Sequence, residues 1–184
     1  MNHMKRITNY KWYNNLGIEI KYDDLIINNS DIISPDLLNK DFIHSFIWNK
    51  QENKRNTICV KWQLGEKIIQ LNNVGIYGTM PNVSMDKVVC SKGYELSAVI
   101  YNADGSIHLS IEHAPNRISD FSSRYKTSNA LSPTFFQEFF WKKNNIGHYQ
   151  MIVRLAGICD ECWEYRVFDT DTGECMECID YGFD

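Results

Sequence analysis

Long apolar runs are missing from this 184-residue sequence. No stretch reaches the about 18 consecutive apolar residues of a transmembrane helix. Residues 1–13 are polar and lack the apolar segment of a secretory signal, so the expected location is the cytoplasm. Catalytic signatures are missing too. There is no glycine-rich phosphate loop, nucleophile elbow or HExxH pattern, and Gly75 and Gly78 stand too far apart from other glycines to count. Basic runs are short: adjacent basic residues occur only at Lys5-Arg6, Lys54-Arg55 and Lys142-Lys143, too few for a nucleic-acid footprint. Internal repeats and low-complexity tracts are also lacking. These absences exclude the simple enzyme, membrane and nucleic-acid classes and leave a protein that acts by binding another protein.

What is present suits one domain over residues 1–184. A chain of this length buries about 70% of its unfolded surface and folds without a metal or disulfide staple. Aromatic residues make up 13% of the chain, enough for a large core or a contact surface.

The pattern of apolar residues predicts an α+β domain with a mainly antiparallel sheet and two short helices. Strand-like alternation occurs at 17–22, 57–64, 67–71, 83–90, 94–101, 106–113 and 147–158, with a closing hairpin over 163–181. Ala103-Asp104-Gly105 is a hairpin turn, because Asp-Gly tolerates positive φ. Gly75, Gly78 and Pro81 punctuate a loop. Ser34-Pro35-Asp36 and Ser132-Pro133 read as helix starts. The first helix would run to Trp48. The second would span Thr134–Lys143, with Phe135, Phe136, Phe139 and Phe140 on an apolar face against the core. Residues 114–132 are rich in Ser and Asn and predict a long surface loop.

Charge is unevenly placed. Cys159–Asp184 holds nine acidic residues and one basic, net −8. The rest holds 18 basic and 14 acidic, net +4. An acidic hairpin with interleaved aromatics suits capture of a basic partner cleft. The candidate partner-binding residues are Asp160, Glu161, Trp163, Glu164, Asp169, Asp171, Glu174 and Glu177, with loop 114–132 nearby.

The six cysteines, in a reducing compartment, are thiols or metal ligands. Cys159-Asp-Glu-Cys162 and Cys175-Met-Glu-Cys178 are twelve residues apart, like a four-cysteine zinc ribbon. A zinc-binding interaction module is therefore the alternative reading. Asp169-Thr-Asp-Thr-Gly173 is also turn chemistry. A bulge at Gly173 would set Tyr165 opposite Ile179, Trp163 opposite Tyr181, Cys175 opposite Asp169 and Cys178 opposite Arg166. Cys162 would then lie about 13 Å from the second pair, too far to share an ion. Free thiols and no cofactor are the favoured expectation. Cys59 and Cys90 lie in strand-like runs and predict small core residues. His108, Ser110 and Glu112 share one strand face. An acid–base site there is the weaker reading, since same-face neighbours sit about 6.5–7 Å apart. No catalytic residue is assigned.

The segment Trp163-Glu-Tyr-Arg-Val-Phe-Asp-Thr-Asp-Thr-Gly-Glu174 resembles the closing hairpin of small bacterial immunity proteins encoded beside polymorphic, Rhs-type toxins. The resemblance implies a cytosolic antidote that binds a cognate toxin and blocks its active-site cleft. The toxin types it suggests are an NAD-using ADP-ribosyltransferase or a nuclease.

Overall fold

The computed structural model describes residues 6–13, 17, 19, 58–74, 78–91, 96–116, 134–157 and 162–183. These form eleven strands: β1 Ile7–Tyr13, β2 Ile58–Leu64, β3 Lys67–Val74, β4 Gly78–Pro81, β5 Lys87–Ser91, β6 Ala98–Asn102, β7 Ile107–Ile111, β8 Thr134–Lys143, β9 Tyr149–Gly157, β10 Cys162–Phe168 and β11 Cys175–Phe183. All strand pairs are antiparallel, in three sheets ordered β1-β2-β3, β4-β5-β6-β7 and β11-β10-β9-β8.

No helix occurs among the described residues, which overturns the α+β expectation. The segment Thr134–Lys143 is strand β8, not a helix. Its phenylalanine spacing misleads because a bulge falls at Gln137, between the pairs Phe136↔Leu155 and Glu138↔Arg154. One extra residue shifts the two-residue alternation, so Phe136 and Phe139 share a face three residues apart. Their rings stack 5.8 Å apart. That spacing imitates a helical stripe. The helix over Ser34–Trp48 lies outside the described residues, as do 117–133 of the anticipated loop. Gly78–Pro81, read as a loop, is an edge strand; proline is tolerated there because it donates nothing to the ladder.

The β4–β7 sheet is the middle layer. On β5, Val88, Val89 and Cys90 are consecutive and all buried. Val89, with Ala98 and Ile100, faces the large core made with Phe136, Phe139 and Leu155. Val88 and Cys90 face the other way, toward Tyr10, Val60 and Trp62. Polar groups tie the layers at their contacts. Trp141 Nε1 donates to the Pro81 carbonyl at 2.9 Å. Trp62 Nε1 donates to the Ala103 carbonyl at 2.6 Å. Ser91 Oγ donates to the Phe136 carbonyl at 3.2 Å.

The registers bring the hairpin turns 65–66, 82–86, 103–106, 144–148 and 169–174 to one end of the molecule. Lys87 pairs with Asn102, and Ile7 with Leu64. Ile7 N–H donates to the Met85 carbonyl at 2.7 Å. A Cβ on Gly105 would lie 2.8 Å from Ile69 Cγ2.

Asn82 stitches two of these turns together. Its Oδ1 accepts the N–H groups of Asp86 and Lys87 at 3.0 and 3.1 Å. Its Nδ2 donates to Asp86 Oδ1 at 2.7 Å and to Thr170 Oγ1 at 3.1 Å. Asn82→Ala removes these bonds from a buried site and is expected to cost about 2 kcal/mol in chemical denaturation. An unchanged denaturation midpoint would show that Asn82 does not hold the two turns together.

Candidate functional site

The acidic hairpin β10–β11 forms, and its turn is built by its own side chains. Asp169 Oδ1 accepts the N–H groups of Asp171 and Thr172 at 2.7 and 3.3 Å. Gly173 N–H donates to the Asp169 carbonyl at 2.8 Å. Gly173 has φ +75°, which only glycine adopts without strain. A Cβ there would also strike Leu109 Cδ2 at 2.6 Å, so the turn sits directly on β7.

Neighbouring elements clamp this turn. Lys87 Nζ reaches Asp171 Oδ1 at 2.6 Å and Asp86 Oδ2 at 3.6 Å. His108 Nε2 donates to the Asp171 carbonyl at 3.0 Å. The hydrogen bond and charge of Lys87 hold the Asp171 carboxyl below its ordinary range. Asp171 stays 75% exposed while Lys87 is nearly covered, at 12%. Lys87, Asn82 and His108 were not legible as partners of this turn, because they lie far from it in sequence. His108 and Ser110 on β7, and Glu112 just beyond its end, are exposed.

The candidate binding residues separate on folding. Asp171, Glu174 and Glu177 are exposed, and Asp169 is spent on the turn. Glu164 is fully buried, at 0% exposure. Adjacent strand residues point to opposite faces, so Trp163 and Glu164 could not share one surface. Trp163 is half-buried: its ring lies 4.6 Å from the Tyr165 ring, under the Arg154 guanidinium at 5.2 Å, and against Gly182. Arg154 is in turn ion-paired to buried Glu138 at 3.9 Å. Asp160 and Glu161 lie outside the described residues.

The hairpin register differs from the sequence expectation in three of four pairs. Cys178 does face Arg166. Tyr165 faces Asp180 rather than Ile179, Trp163 faces Gly182 rather than Tyr181, and Cys175 faces Phe168 rather than Asp169. Two shifts, at Tyr165/Arg166 and Arg166/Phe168, place extra residues on β11. Arg166 fastens this bulged strand: its Nε donates to the Met176 carbonyl at 2.8 Å, and its Nη2 to the Cys175 carbonyl.

The three described hairpin thiols are spread along the ribbon. Cys162 pairs with Phe183, four residues along β10 from the position facing Cys178, or about 13 Å. No group of three His, Cys, Asp or Glu residues placed to hold a metal occurs among the described residues. Cys159 lies outside them.

No family model matches the chain, and no curated protein matches it. One solved fold is similar. A chain in the structure of Tne2 in complex with Tni2 superposes with a TM-score of 0.56 at 9% identity. The likeness covers 97% of this chain and 99% of that one. At that identity it establishes likeness of fold alone. No described helix is long and apolar enough to cross a membrane.

Burial sets the thiol chemistry. Cys90 and Cys175 are each pushed up to about 12 by burial. Cys178 is raised by burial and then by the Glu164 charge. Unfolded thiols ionise near pH 8.5, so the folded state holds protons that the unfolded state releases. The stability from Cys90 and Cys175 is present below about pH 8.5 and is lost as pH rises toward 12. The expected slope is up to about 1.4 kcal/mol per pH unit for each thiol. Cys90→Ala should flatten the decline in urea melts between pH 8.5 and 10.5. An identical slope in that variant would contradict the assignment.

Proposed function

We propose that this protein is an immunity protein that binds a cognate bacterial toxin and neutralises it by covering the active-site cleft. The observation that carries the reading is the acidic turn Asp169–Glu174. Its exposed carboxylates, Asp171 and Glu174, project from a turn fixed by Asn82, Lys87, His108 and Gly173. A surface held in its binding shape loses little entropy on association. Negative charge displayed this way speeds encounter with a basic cleft. The fold likeness to a chain of a two-protein complex supports a life spent in protein association.

A basic cleft is the complement that the acidic turn would fit. Enzymes that handle NAD phosphates or nucleic acid line their clefts with Lys and Arg. An ADP-ribosyltransferase is the leading target type, and a nuclease the next.

The test is co-expression with the product of the adjacent reading frame. Wild-type chain should restore growth and co-purify with that product. The Glu174→Lys, Glu177→Lys double variant should lower the association rate at least tenfold at low salt, with a smaller loss at 0.5 M salt. Equal rates for both proteins at low salt would remove the acidic hairpin from the interface.

A further inference from the structure

The hairpin of β8 and β9 ends in a tip unlike the acidic turn. β10 pairs with β9 no further than Val167↔Ile152. β8 and β9 stay paired for three residues beyond that point, through Trp141↔Met151, Lys142↔Gln150 and Lys143↔Tyr149. At the usual rise this carries the hairpin about 10 Å past the last β9 residue that β10 supports. One side chain builds the turn. Asn144 Oδ1 accepts the N–H groups of Ile146 and His148 at 3.1 and 2.9 Å. Asn144 N–H donates to the His148 carbonyl at 2.8 Å, and Gly147 N–H donates to the Asn144 carbonyl at 3.0 Å. A Cβ placed on Gly147 would meet nothing within 4 Å, so the turn is fixed from within and open all round. Its third residue, Ile146, is 75% exposed, more than any other large apolar side chain among the described residues. No acidic residue occurs from Phe139 to Val153. Lys142 and Lys143 are neighbours on β8 and so flank the hairpin on opposite faces. Lys143 Nζ lies over the Tyr149 ring, 5.3 Å from its centre. Neither lysine is ion-paired among the described residues.

Tight turns favour Gly, Asn, Asp, Ser and Pro, so a β-branched apolar residue inside one breaks the local chemistry. Such breaks concentrate at functional sites. We propose that this tip is a second contact with the toxin, in which Ile146 enters an apolar pocket of the partner protein whose mouth carries Asp or Glu. The charges select that occupant. Cations on both faces of the hairpin, with no acid beside Ile146, complement a carboxylate-bearing mouth. A tip already fixed by Asn144 loses little entropy on insertion. An anionic lipid surface is the poorer match, because Asp171 and Glu174 project at the same end and would be repelled by it. This inference rests on the immunity reading and adds a contact, of opposite charge, to the acidic turn.

The experiment uses the full chain and, as probe, the purified product of the adjacent reading frame carrying an inactivating substitution. Titration calorimetry compares wild type with Ile146→Ser and Ile146→Val. Leu96→Ser is the control, because Leu96 is exposed at the opposite end, beyond the Ser91↔Ala98 pair. Thermal melts should match wild type, since each side chain already reaches solvent. Ile146→Ser should weaken binding at least about tenfold, and Leu96→Ser should not change it. Ile146→Val removes one methylene and should weaken binding by no more than about fourfold. The Lys142→Glu, Lys143→Glu double variant should slow association, with the loss fading at about 0.5 M salt. Amides of residues 143–149 should gain hydrogen-exchange protection in the complex. Unchanged affinity of Ile146→Ser, or no protection at 143–149, would overturn the inserted tip and leave the immunity reading standing. An association rate unaltered by the lysine reversals would overturn the acidic mouth. Wild type that sediments with phosphatidylglycerol–phosphatidylcholine vesicles, when Ile146→Ser does not, would overturn the protein pocket in favour of a lipid surface. Absence of any complex with wild type would overturn both the tip and the immunity reading.

Discussion

Val88, Val89 and Cys90 follow one another on β5, and none reaches solvent. In an extended strand, that is possible only if both faces of the sheet are covered. The double burial of β5 fixes the molecule's plan. One face must take the phenylalanines of β8 and the aliphatic residues of β9. The other must take Trp62 and Tyr10. Trp62 and Trp141 each reach a middle-layer carbonyl with the indole N–H, so the layers are joined by directed bonds as well as by contact area. Because the strands run antiparallel in all three sheets, the short turns collect at one end. The candidate surface is therefore a by-product of how the core is closed.

The sequence foretold much of this at the level of strands. Alternation at 57–64 and 67–71 corresponds to β2 and β3, and Asp104-Gly105 turns where Asp-Gly chemistry says it should. The helical reading of 134–143 failed for a local reason. A single bulged residue, Gln137, converts a two-residue period into a three-residue one, and the ear for helices hears it. β1 was missed, since Ile7–Tyr13 carries Thr8, Asn9 and Lys11 among its apolar residues and bends at Asn9, where φ is +50°. In the hairpin, strand identity was legible and register was not, because β11 takes up extra residues that composition does not announce.

The acidity of the C-terminal segment was plain in the sequence, but its display was not. Nine carboxylates in twenty-six residues suggest one negative face. Folding sends those that the structure describes in different directions. Glu164 enters the interior near Arg166 and the hairpin thiols. Asp169 turns inward on its own backbone. Asp171 keeps its charge by leaning on Lys87, which comes from a strand more than eighty residues earlier. Net charge predicts long-range attraction, whereas position decides which carboxylates touch anything. The residues that organise the turn, Asn82 and His108, carry no signal in a linear reading because their roles exist only across layers.

The bulges in β11 have a consequence for the molecule's solubility. β11 ends its sheet, and a straight, flat terminal strand invites another chain to add to it. Extra residues at two points twist and kink this strand, and Glu177 and Asp180 lie along it. Copies of the protein stacking strand to strand would meet broken hydrogen-bond spacing and like charge at once. The irregularity that hid the register from the sequence thereby disfavours strand addition at this edge.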